Sequence, residues 1–188
     1  RAGGRPRRAE LSAHRANAGN ASLQPQRAWE FRATLEKPIP GDGLVKLDAG
    51  YDLVSMLQDR VLIEGDNGRF FDAPGNIGTG KRRFVALTVD APLTRFGVSG
   101  ARLKLNGALT RTRVEDPISG EKRNFTGFFP DWEWSADYRQ DIGAFSYGFV
   151  LSNTDSTTFF RTDEFDSNWN EGVFATTFVE YRPSSRTT

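Results

Sequence analysis

Segment after segment of this chain alternates one apolar with one polar residue, over lengths greater than those of an ordinary soluble strand. The clearest run is Ala101-Arg102-Leu103-Lys104-Leu105-Asn106-Gly107-Ala108-Leu109-Thr110. In an extended chain, neighbouring side chains point to opposite faces. One face therefore carries Ala101, Leu103, Leu105, Gly107 and Leu109, and the other carries Arg102, Lys104, Asn106, Ala108 and Thr110. Such a sheet has one oily side and one wet side. What the oily side touches, a protein core or lipid, decides what the chain does.

The same parity returns along the sequence. Trp29, Phe31, Ala33 and Leu35 alternate with Glu30, Arg32, Thr34 and Glu36. From Val45 to Ile63, Leu47, Ala49, Tyr51, Leu53, Ser55, Leu57, Val61 and Ile63 share one parity, with Asp59 the exception. Tyr51–Ile63 also admits a helix, since Leu53, Leu57 and Val61 are spaced by four, but Gly50 and the β-branched residues favour a strand. Further apolar stripes are Val85, Leu87, Val89 and Ala91, then Trp132, Trp134, Ala136 and Tyr138. Phe145, Tyr147, Phe149 and Leu151 form the next, and Val173, Ala175, Thr177, Val179 and Tyr181 the last. Thr157–Thr162 is one more expected strand. Some connections are short, at Pro38–Gly43, Pro92–Gly97 and Asp141–Gly143, where Pro fixes φ and Gly accepts positive φ. Others are long and polar, at 64–81, 116–130 and 163–172. Short turns at one end and long loops at the other describe an outer-membrane barrel, whose tilted strands cross in ~9–11 residues.

At 188 residues the chain is long enough for one domain with a sizeable core. Only 37% of residues are hydrophobic, yet there are 15 Phe, 4 Trp and 19 Gly. That balance suits a β protein rich in turns, and equally a barrel with a polar lumen and aromatic rims. A net charge of +1 offers no global field to nucleic acid. Arg1, Arg5, Arg7, Arg8 and Arg15 do cluster in residues 1–26, but no stacking aromatic precedes Trp29, so the stretch reads as irregular and polar, with a short weak helix at 11–20. Without Cys there are no disulfides, zinc–thiolate sites or thiol catalysis. No run of 18 apolar residues spells a membrane helix, and no signal peptide is visible. Arg at position 1 leads us to expect a processed chain or a fragment.

Four motifs invite chemistry. Gly75-Asn76-Ile77-Gly78-Thr79-Gly80-Lys81 fits seven positions of a phosphate-binding loop, but Arg82 replaces the Ser or Thr that would hold Mg²⁺, and a strand follows instead of a helix. A Gly-rich loop is the plainer reading. Asp166-Ser167-Asn168-Trp169-Asn170 begins like a calcium loop, but Glu171 stands where Gly is required, which favours a solvated acidic loop. His14, the one histidine, lies in the irregular stretch and supports neither a serine triad nor a metal site. Glu133 and Asp137 share a strand face but lie ~13 Å apart by strand rise, too far to cleave a glycoside as a pair. Trp132, Trp134 and Tyr138 suit a headgroup girdle or packing better than a stacked ligand.

Several stretches together resemble the barrels of proteobacterial TonB-dependent outer-membrane receptors. They are Phe71-Asp72-Ala73-Pro74-Gly75-Asn76-Ile77-Gly78, Asp116-Pro117-Ile118-Ser119-Gly120, Asp131-Trp132-Glu133-Trp134, Tyr138-Arg139-Gln140-Asp141 and Thr158-Phe159-Phe160-Arg161-Thr162-Asp163-Glu164. The likeness covers roughly residues 27–183. It implies a barrel of roughly 22 strands closed by an N-terminal plug, with a short box pulled by an inner-membrane coupling protein. It also implies active uptake of a scarce nutrient. The chain departs from that pattern: it shows no plug and no coupling box, and it closes on Ser184-Ser185-Arg186-Thr187-Thr188 and not on an aromatic.

The expectation is therefore an all-β chain, an antiparallel transmembrane β-barrel fragment of about seven or eight strands cut from a larger barrel. Residues 1–26 are its irregular polar stretch, 27–183 its barrel-like part and 184–188 a tail. Leu103, Leu105, Leu109, Phe145, Phe149 and Val179 are expected to face lipid, and Arg102, Lys104, Asn106, Glu133, Asp137 and Arg139 the lumen, with the three long loops outside. The expected place is the cell outer membrane, and the expected activity is energy-coupled import of a siderophore, a cobalamin-like compound or a glycan. Its partners would be outer-membrane lipid, that ligand and, for the full-length protein, the TonB coupling protein, with no nucleic acid, no cofactor, no metal and no enzyme activity. Two alternatives stay open: a soluble β-sandwich or small barrel that binds carbohydrate on its Trp residues, and a β-rich hydrolase built on the scattered carboxylates.

Overall fold

A computed structural model describes residues 19–64, 68, 70–127, 129–160, 165–168, 170 and 172–183, with backbone only for 165–168. Twelve strands are present among these residues: β1 (Arg27–Ile39), β2 (Gly43–Ser55), β3 (Gln58–Glu64), β4 (Phe70–Asn76), β5 (Gly80–Pro92) and β6 (Ala101–Glu115), then β7 (Lys122–Arg123), β8 (Trp132–Ile142), β9 (Phe145–Thr154), β10 (Thr157–Phe160), β11 (Phe165–Asn168) and β12 (Phe174–Tyr181). The only helical element among them is a single 3₁₀ turn, Leu93–Phe96. No helix among the described residues is long and apolar enough to cross a membrane.

Eight strands form one antiparallel sheet. Seven of them run in the order β1-β2-β5-β6-β8-β9-β12, and β7 adds to the end of β6. The path is a meander, so every connection between spatial neighbours lies at one end or the other. The chain reverses tightly between β1 and β2, through the 3₁₀ turn between β5 and β6, and over two residues between β8 and β9. At the opposite end, the stretches that join β2 to β5, β6 to β8 and β9 to β12 are long, and they carry the small β3–β4, β7 and β10–β11 pairings. The segregation of short turns from long loops expected from the turn chemistry is therefore present. The sheet is not closed: β1 pairs only with β2, and β12 only with β9.

Register settles which residues share a face, because directly opposed residues lie on the same side. The central row reads Val45, Val89, Leu105, Ala136, Leu151 and Ala175. Next to it, Leu35, Leu47, Leu87, Gly107 and Trp134 line up. Leu103, Tyr138 and Phe149 form another such row, and Phe145 lies opposite Tyr181. All six residues expected on the oily side thus share one face. Aliphatic and small residues fill its middle. Aromatics gather toward both ends, with Trp29, Phe31, Tyr51, Trp132 and Trp134 on the loop side and Tyr138, Phe145, Tyr147 and Tyr181 on the turn side. Ring pairs lock the turn-side group: Tyr138 and Phe149 stack with centroids 5.3 Å apart, and Phe145 and Tyr181 meet at 4.9 Å.

Nothing among the described residues covers this face. Trp29 is 74% exposed, Leu109 65% and Val179 77%. The buried core lies elsewhere, at the loop end, where Val54, Leu57, Val114 and Phe125 pack together with Ile77 and Phe129 against them.

The structure departs from the sequence reading at several places. The long segment Val45–Ile63 is two strands, not one, because Met56 turns through a left-handed φ of 55°. The loop expected at 64–81 contains β4, paired to β3 from Gln58↔Asn76 to Glu64↔Phe70. Pro74 and Gly75 hide that strand from a propensity reading. Pro is tolerated in a strand at a sheet edge. Gly75 is required by contact, since a Cβ there would lie 2.3 Å from the Val61 side chain. Likewise β11 falls within the loop expected at 163–172. The helix considered for Tyr51–Ile63 is absent. His14 and residues 11–18 of the weak helix expected at 11–20 lie outside the described residues, as do the side chains of the calcium-like Asp166-Ser167-Asn168 and the tail 184–188.

Candidate functional site

The polar face of the sheet holds the residues expected to face a lumen, and the register brings them together on β6 and β8. Arg102 lies opposite Arg139, Lys104 opposite Asp137 and Asn106 opposite Ser135, while Glu133 faces Ala108. On this side a hollow of about 640 Å³ spans β5, β6, β8, β9 and the start of β12. Thr88, Asn106, Glu133, Ser135, Thr154 and Phe174 border it. Its floor is a hydrogen-bonded row: Thr88 Oγ1 is 3.2 Å from Asn106 Oδ1, and Asn106 Nδ2 donates to Ser135 Oγ at 3.1 Å. Neutral hydroxyls and amides at the centre, with charges above and below, make a surface able to exchange hydrogen bonds with a polar solute.

Toward the short turns the face is cross-linked by charge. Arg102 Nε donates to Asp90, and Arg102 Nη2 donates to the Asp42 carbonyl at 2.7 Å. Lys104 Nζ lies 3.9 Å from the same Asp90. Arg139 Nη2 reaches Glu180 at 3.0 Å and Asp141 at 3.3 Å, and Arg182 meets Glu180 at 3.0 Å and Asp141 at 3.7 Å. Ser146 Oγ donates to Asp141 as well. Just beyond β12, the Arg182 guanidinium is held above its ordinary pKa, first by its hydrogen bond to Glu180 and then by the neighbouring negative charges.

Toward the loops the face carries a second cluster that the sequence reading did not single out. Asp52 is 4% exposed. It accepts from Arg82 Nε at 2.6 Å and from Arg32 Nη1. Both guanidiniums also sit over the Phe84 ring, at 5.2 and 5.3 Å. Phe84 lies directly opposite Gly50, and a Cβ on Gly50 would stand 2.3 Å from the ring. Gly148 opposite Phe178, with Arg139 5.5 Å above that ring, repeats the device. In both, a glycine lets an aromatic lie flat across the neighbouring strand, which leaves its face open to a cation. The members come from three different strands, so spacing along the chain carries no signal for them. The parity of Arg32 with Glu30 and Thr34 is the one visible clue.

Above the polar face, the long connections form a cap held by one cation. Arg123 Nη2 lies 2.8 Å from Asp59, its Nε lies 2.8 Å from Asp116, and its guanidinium sits 4.4 Å from the Phe160 ring. These three partners belong to three different excursions. Thr126 Oγ1 adds a hydrogen bond to Asp59 at 2.7 Å, and Asp116 accepts from the Ile118 and Ser119 amides at 3.0 and 2.8 Å. The former phosphate-loop candidate is a strand end and link within this cap. Asn76 Nδ2 donates to the Met56 and Gln24 carbonyls at 2.8 and 3.0 Å, which ties the irregular residues before β1 to the same end. No group of three His, Cys, Asp or Glu residues suited to a metal occurs among the described residues.

Neither a protein-family model nor a curated protein matches the chain.

Proposed function

We propose that this chain is a wall segment of an outer-membrane β-barrel that takes up a polar nutrient, with its oily face on lipid and its polar face lining the lumen. The observation that carries the reading is the uncovered apolar face. Leu, Val, Phe and Trp side chains lie in continuous register across seven strands with no layer over them among the described residues, and exposed apolar patches of that extent mark a membrane or partner surface. The supporting features are aromatics at both margins of the band, turns segregated from loops, and strands of 13 to 15 residues in β1, β2, β5 and β6, long enough to cross when tilted. The outer edges of β1 and β12, which pair with no strand among the described residues, are where further strands would extend the wall.

On this reading the loop cap meets the solute first. The lumen then offers it the hydroxyl and amide row at Thr88, Asn106 and Ser135 between two charged bands. The solutes that fit are hydrophilic and hydrogen-bonding, such as an iron chelate, a cobalamin-like compound or a glycan. Import would be driven by the TonB coupling protein acting on the full-length protein, and no covalent chemistry is assigned to the chain.

The test is growth and uptake. A strain lacking the full-length protein is expected to lose accumulation of one such labelled solute, and a strain lacking the coupling protein to lose it equally. Recovery of the full-length protein as a water-soluble monomer that needs no detergent would overturn the reading.

A further inference from the structure

The apolar face ends unevenly on its loop side. On β1 and β2 the margin is aromatic, with Trp29, Phe31 and Tyr51, and on β8 it is Trp132 and Trp134. Between them, on β5 and β6, no aromatic occupies the margin. The register places Arg83 opposite Arg111 and Lys81 opposite Arg113, so two cation pairs stand one above the other on the same face as Val85 and Leu109. All four side chains are exposed. They border a hollow of about 280 Å³ together with Tyr51.

Directly opposed like charges on neighbouring strands destabilise a sheet. Two such pairs in succession call for a counter-anion. The protein supplies part of one: Arg111 pairs with Asp131, and Arg113 Nη1 donates to the Asn124 amide oxygen at 2.9 Å. Glu115 continues the same face but lies opposite Lys122. Among the described residues Lys81 and Arg83 have no ion-pair partner. The cluster therefore keeps surplus positive charge just outside an apolar band.

We infer that Lys81, Arg83, Arg111 and Arg113 form a site for the phosphorylated headgroup of an outer-leaflet lipid whose acyl chains lie down the apolar face below Val85 and Leu109. This rests on the membrane reading above. Guanidinium forks match phosphate oxygens bidentately, and basic groups beside a membrane surface favour anionic headgroups. The Tyr51 ring forms one wall, where an amphipathic side chain belongs. A free phosphate shares the headgroup chemistry but makes no use of the apolar wall.

The experiment uses the full-length protein, folded into lipid vesicles and followed by heat-modifiable gel mobility. Its affinity for bisphosphorylated lipid A, for the phosphate-free lipid and for inorganic phosphate is then measured. Wild type is expected to favour the phosphorylated lipid by about tenfold or more, and inorganic phosphate to bind far more weakly. The variant K81Q/R83Q/R111Q/R113Q should lose the preference, whereas R60Q/R95Q/K122Q should keep it. Should the fourfold variant not fold, K81Q/R83Q, which touches no ion pair, must still reduce the preference. A folded wild type with no preference, or one that the cluster variants leave unchanged, overturns the lipid site alone. Inorganic phosphate binding as tightly as the lipid overturns the lipid assignment. Failure of wild type to enter vesicles overturns the membrane reading and the site with it.

Discussion

At the loop end, Arg123 lies between Asp59 and Asp116 with 9% of its side chain exposed, while Phe125 packs into Val54, Leu57 and Val114. A few strands away, Trp29 and Val179 stand about three-quarters exposed on the apolar face. The cap buries its apolar groups and pairs its buried charges within the chain. The sheet pairs its inner strands within the chain, but among the described residues it leaves the outer edges of β1 and β12 and its apolar side chains uncovered. On the proposed membrane reading, the cap's stability is internal and the sheet's depends on its surroundings. The cap should respond to point changes much as a soluble core does, and the sheet only when lipid is present.

The sharpest way to break this comparison is at Arg123. Arg123→Gln leaves two buried carboxylates without their cation, and removing one partner of such a pair costs ~3–5 kcal/mol. The cap should open, seen as faster hydrogen exchange at Thr112, Phe125 and Asn76, while insertion of the sheet into vesicles continues. Loss of both together would show that cap and sheet are one cooperative unit. On the sheet, Leu105→Arg places a cation in the central apolar row and should cost ~2–4 kcal/mol in a folding titration in lipid vesicles. The same change measured in water should cost far less, and equal costs in the two solvents would contradict the role given to lipid. At the margin between the regions, Gly50→Ala drives a methyl into Phe84. Overpacking of that kind costs ~1–3 kcal/mol, and replacing Phe84 by Leu in the same chain should recover part of it. Smallest of all, Lys104→Ala should change folding in vesicles by less than ~1 kcal/mol, since its pairing with Asp90 is long and exposed.

The sheet was readable in the sequence because its physics is local. A period of two assigns each residue of β1, β2, β5, β6, β8 and β9 to a face before any partner is known, and the register then places Leu105 with Ala136 and Lys104 with Asp137. The turn chemistry of Pro, Gly and Asp likewise marked which end is short. The cap was not readable, because its members are distant in the chain. Asp59 and Arg123 are 64 residues apart, and their contact exists only once the sheet has aligned the three excursions at one end. For the same reason β4 passed as a loop: Pro74 and Gly75 argue against a strand until Val61 is found packed over the glycine. The clamp of Arg32 and Arg82 on Asp52 needed the alignment of three strands, which no spacing rule conveys.

Composition and alternation were therefore enough to specify an antiparallel sheet with one oily and one wet face, because side-chain direction in an extended chain follows from backbone geometry alone. Only the folded arrangement decided that, among the described residues, no layer covers the oily face and the edges stay open, and which charges meet across the cap and the polar face. Those outcomes depend on which distant segments come into contact, and the cost of burying each group is set there.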